Sequence, residues 1–102
     1  MLNITLKAKE KLNQISAEKN IWPLQFLRLT IPPIWSGEGD FGIVIDNANE
    51  DDIQINFENK TILLIESSIN ESLSNSTLDY IESGKQIGFN LDIYPADNNI
   101  SN

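Results

Sequence analysis

The chain has 102 residues, 40% of them apolar and 22% charged, with a formal net charge of −8. That describes one globular domain with a single core, and its charge excludes non-specific binding to nucleic acid or to an anionic membrane surface. Neither cysteine nor histidine occurs, which removes disulfides, thiolate ligands, a cysteine nucleophile and the commonest general base.

No apolar run approaches the roughly 20 residues of a membrane span. The first residues lack a basic-then-apolar leader, since Lys7, Lys9 and Lys11 fall in a polar helical stretch. The expected location is therefore the cytoplasm.

Asn3-Ile4-Thr5 reads as a short lead-in with Thr5 as N-cap. Ala8, Leu12 and Ile15 then fall at i, i+4 and i+7, one stripe of an amphipathic helix over 6–19. Asn20 is the expected C-cap, and Trp22-Pro23 closes the segment. Residues 24–31 (LQFLRLTI) predict a strand with two buried faces, stopped by Pro32-Pro33. A glycine-rich connection follows, and 41–45 predict a second strand.

Residues 47–52 read as a polar turn, and the strict alternation of 53–57 (IQINF) marks a half-buried strand. Glu58-Asn59-Lys60 has turn chemistry, and 61–65 (TILLI) form a fully apolar strand. The Ser/Asn-rich stretch 67–77 is a loop or one short helical turn around Ile69 and Leu73. Residues 78–81 and 88–93 make a last strand pair around Ser83-Gly84. One helix and about six strands describe an α+β domain over 1–95, mostly antiparallel or mixed in its strands, with a small sandwich-like core. A polar tail occupies 96–102.

Candidate chemistry centres on the connection 32–40 (PPIWSGEGD), because loops held by strands commonly carry function. Gly37, Gly39 and Gly42 fit G-x-G-x-x-G, but a strand follows where the dinucleotide motif opens a helix, and Glu38 and Asp40 would repel phosphates. Ser36-Gly37 is no nucleophile elbow, since the G-x-S-x-G frame and an activating histidine are both missing. Trp35 is either an exposed anchor for a partner protein or a cap on the open end of the core. Asp46, Glu50, Asp51 and Asp52 lack the glycine and register of an EF-hand loop, so they read as a solvated turn.

The order of motifs resembles the A-type iron–sulfur carriers, the HesB/IscA-like family of iron–sulfur cluster biogenesis. Ile4-Thr5-Leu6 leads a helix as in that family, Leu27-Arg28-Leu29-Thr30-Ile31 is similar to its LR[VL]-x-V strand, and a glycine-rich loop follows. Residues 59–66 resemble its G-[VI]-x-[VI]-x-[VI]-[DE] strand, Leu78-Asp79-Tyr80 its [IL]-D-Y triplet, and Gly88-Phe89-Asn90-Leu91 its G-F-x-[FI]. Counting without gaps from Leu27-Arg28 places Ser36 at the family's first cysteine. Matching Ser36-Gly37 to the Ser-Gly after that cysteine places Trp35 there instead. Ser101 falls near the first member of the C-terminal C-G-C pair, and the chain stops before the second.

The resemblance implies a HesB-like fold. Its cluster-binding activity rests on three cysteines that are missing here, and serine hydroxyls are poor, hard substitutes for thiolates. The expectation is a non-catalytic binding or accessory protein with no cofactor, partnered by protein through Trp35, Glu38 and Asp40. Exposed strand edges would also permit self-association. A second expectation is a cation site built from Glu38, Asp40 and Asp46.

Overall fold

The computed structural model describes residues 1–93. Nine elements follow in order: β1 (Asn3–Ile4), α1 (Leu6–Glu18), β2 (Phe26–Thr30), β3 (Gly42–Asp46), β4 (Asp52–Phe57), β5 (Lys60–Glu66), α2 (Ser67–Ser72), β6 (Thr77–Ser83) and β7 (Gln86–Asp92). They form a four-stranded sheet in the order β3-β2-β5-β4 and a three-stranded sheet in the order β1-β6-β7. Three pairings are antiparallel, whereas β1–β6 and β2–β5 are parallel. The expected tail over 96–102, Ser101 included, lies outside the described residues.

Helix α1 starts where expected. Thr5 Oγ1 accepts from the Ala8 amide at 3.2 Å and donates to Asp79 Oδ1 at 2.7 Å, so the cap ties the helix to β6. The Thr5 hydroxyl and the Tyr80 amide together hold the Asp79 carboxyl below its ordinary range. The helix ends one residue early, with Lys19 as C-cap. Asn20 takes the left-handed position that follows it, at φ 55°. Ala8 and Leu12 are fully buried, and α1 packs on both sheets.

The lead-in Asn3–Ile4 is a seventh strand, bonded through Asn3 N–H to Ser76 O and Thr5 N–H to Leu78 O, both at 3.0 Å. Two residues are too short for period-2 alternation to show. Leu24, expected at the start of β2, is 82% exposed and lies in a turn before the strand. The stretch after β5 contains α2, with Ile69 and Leu73 buried, the helical one of the two readings. Glu58 and Asn59 both have positive φ (52° and 66°) between the paired Phe57 and Lys60. That is the two-residue turn whose twist matches a hairpin.

The registers give the four-stranded sheet two different faces. Ile43, Leu29, Ile65 and Ile53 make one row across it; Leu29 and Ile65 are fully buried in the core with Leu12 and Leu78. Val44, Arg28, Leu64 and Gln54 make the neighbouring row on the other face. Both faces of β2 are therefore buried. On the second face the segment 47–51 meets Arg28 through Asn47 O. Because β3 and β4 are opposite edges, that segment crosses the sheet as a strap.

Candidate functional site

Arg28 clasps the strap. Its Nη1 and Nη2 donate to Asp52 Oδ1 and Oδ2, both at 2.6 Å, a bidentate pair. Nη2 also donates to Asn47 O at 3.0 Å, and Nε to Asp46 Oδ2 at 2.9 Å. The side chains of Arg28 and Asp52 are 9% and 1% exposed. The hydrogen bonds from Arg28 hold the Asp52 carboxyl below its usual range, against the opposing effect of burial. The far end of the strap is pinned where Ser67 N–H and Oγ donate to Asp51 O.

This corrects the solvated-turn reading for two of its four carboxylates. Asp52 is buried against Arg28 and the half-exposed Asp46 also bonds it, while Glu50 and Asp51 stay exposed without it. The cation set is not assembled either. Asp46 Oδ1 accepts the Asn47 amide at 2.8 Å while Oδ2 takes Arg28. No group of three His, Cys, Asp or Glu among the described residues is placed to hold a metal ion.

The loop between β2 and β3 is organised by Trp35, which is held by contacts within its own loop. Its amide donates to Ile31 O at 3.0 Å and its indole Nε1 donates to Glu38 O at 3.1 Å, so the half-buried ring fastens its own loop. Gly37 and Gly42 lie flat against the ring, and a Cβ at either position would overlap ring carbons. Ser36, Glu38 and Asp40 are exposed around it. Gly42→Ala is expected to push the indole off β3 and destabilise the protein by about 1–3 kcal/mol. Urea denaturation would check the loss, together with a shift in the emission of Trp35 in a Trp22→Phe background.

Beside this loop runs an apolar cleft of about 570 Å³, lined by Leu27, Phe41, Ile43 and Ile45, by Ile15 of α1 and by Phe89 of β7. The volume is that of an ordinary binding cleft. Lys19 is the one charged residue in the lining. Nothing in the sequence reading pointed to this cleft. Its signal is the alternation Phe41, Ile43, Ile45, and only the strand order shows that these residues stand at a sheet edge.

A thiolate-held iron–sulfur cluster does not fit the donors present. The chain has no cysteine, and Ser36 offers a single exposed hydroxyl from the loop.

Three solved structures share the architecture. Escherichia coli SufA, described as involved in biosynthesis of iron–sulfur clusters, superposes with a TM-score of 0.61 at 18% identity, covering 90% of this chain and 84% of that one. A protein from Aquifex aeolicus gives 0.60 at 22% identity, covering 88% of each. IscA with its [2Fe-2S] cluster gives 0.54 at 16% identity, covering 91% and 85%. No protein-family profile and no curated protein matches the sequence. The shared helix, the two mixed sheets and their coverage establish that this chain has the HesB/IscA-like fold of the A-type iron–sulfur carriers.

Proposed function

We infer that the protein is a non-catalytic binding or accessory protein of iron–sulfur cluster biogenesis, one that acts without holding a cluster. The observation that carries this reading is a fold matched over 90% of the chain in a sequence without a cysteine. Strands and core can keep a fold after its ligands are gone, but a cluster cannot stay on hydroxyls. The carboxylates do not replace the thiolates, because Asp46 is committed to Arg28. Acid–base catalysis lacks a candidate too, since the two carboxyls held off their ordinary range, Asp52 and Asp79, are both shifted downward by hydrogen bonds, Asp52 from Arg28 and Asp79 from Thr5 and the Tyr80 amide.

Anaerobic reconstitution with ferrous iron and sulfide, followed by desalting, tests the central point. The expected product is colourless, with iron and sulfide far below stoichiometric and unchanged by Ser36→Ala. Stoichiometric iron and sulfide with visible charge-transfer absorption would overturn the reading.

A further inference from the structure

The two sheets present four outer edges, and three of them are guarded. Strand β1 is only two residues long. Strand β4 carries a register irregularity at Ile55/Asn56, polar Gln54 and Asn56, and the inward Asp52. Strand β7 alternates Gln86, Asn90 and Asp92 with apolar residues and contains Gly88 at φ 151°. Short length, bulges and inward charges are the usual devices that stop an edge from pairing with another chain. Strand β3 is five residues long, keeps an unbroken register and shares with the guarded β4 only a terminal carboxylate, Asp46. Its sequence is GIVID, its one charged residue is occupied by Arg28, and Ile45 is 43% exposed on its cleft side.

Charge decides what can approach. Glu38 and Asp40 stand just before this strand, whereas Glu50 and Asp51 lie at the far end of the strap, next to β4. All four are exposed and make no ion pair among the described residues. The chain as a whole carries −8, so a second copy would meet net repulsion, whereas a basic segment would meet attraction, strongest at the Glu38 and Asp40 end of the edge.

We propose that the free edge of β3, with the apolar cleft beside it, takes an extended basic segment of a partner protein as an added strand. Backbone hydrogen bonds to β3 supply part of the affinity. Alternate apolar side chains of the segment enter the cleft between Ile43, Ile45 and Phe89, and a lysine or arginine at one end of it meets Glu38 and Asp40. Lys19 is the one lining group that opposes such a segment. The proposal rests on the reading of the chain as a binding protein and names the face that binds.

The test is fluorescence anisotropy with the full chain and a short labelled peptide alternating lysine with valine. Saturable binding is expected, weakened at least about tenfold when glutamate replaces lysine and weakened by salt. Ile45→Lys should remove binding while leaving the circular dichroism unchanged and lowering the urea midpoint only slightly, since Ile45 is part-exposed. Lys19→Glu should strengthen it. Absence of saturable binding, or Ile45→Lys binding as wild type, would overturn the proposal. So would a dimer in light scattering that Ile45→Lys dissolves, because a second copy would then own the edge. A cluster bound on reconstitution would sink the functional reading and leave the peptide result standing. A partner that still binds Ile45→Lys would do the reverse.

Discussion

Arg28→Met is expected to destabilise the protein by about 3–5 kcal/mol, because it strands the Asp52 carboxylate under the strap without its cation. The melting temperature of a domain this size falls by about 4–8 °C per kcal/mol. The pH dependence gives a sharper check. In the wild type Asp52 titrates below its ordinary value of 3.8, so its contribution is complete above that value and is lost as pH falls through the lower folded one. In the variant the buried carboxyl favours its proton, so the deficit is largest at neutral pH and shrinks in acid. Urea unfolding across pH 3 to 7 would read both curves; a gap of constant size would show that the ion pair is not the cause. Arg28→Met combined with Asp52→Asn should recover part of the loss.

Leu29→Ala acts on the opposite face and should cost about 2.7–5.0 kcal/mol, the range for a buried leucine whose surroundings cannot close the void. Leu29 is fully buried between Ile43 and Ile65 in the row that faces the core. Ile45→Ala, one step along β3 on the same face, should cost under about 1.5 kcal/mol because its side chain is already part-exposed in the cleft. The contrast separates core from cleft wall. A lower urea midpoint at an unchanged denaturant slope would show that Leu29→Ala changes stability alone. Equal losses at the two positions would mean that the cleft is closed rather than open.

Local signals in the sequence were readable because their causes are local. The stripe Ala8, Leu12, Ile15, the cap at Thr5 and the turn at Glu58-Asn59 all depend on residues within one turn of each other, and each stands in the structure. Two parallel pairings, the seventh strand and the identity of the edge strands depend on contacts far apart in the chain, and no period in the sequence reports them. Arg28 was visible only as part of a strand motif. Its role needed Asp46 and Asp52, which composition alone presents as surface charge. Trp35 was read as facing outward or inward, and it turns onto its own loop because Gly37 and Gly42 leave two flat surfaces for the ring. The resemblance in motif order carried the fold further than any single motif, since spacing over the whole chain constrains topology.

The strap also limits what can happen between the strands it joins. Edge to edge, β3 and β4 are three strand spacings apart, about 14 Å, and the links from Asp46 to Asp52 reach at most about 20 Å when fully extended. That slack is too small for β3 to swing out and exchange into another molecule while β4 stays paired. Peeling β3 from β2 would draw Asp46 and Asn47 off Arg28. An arriving strand can therefore be added outside β3 but not inserted behind it, and the sheet grows only outward.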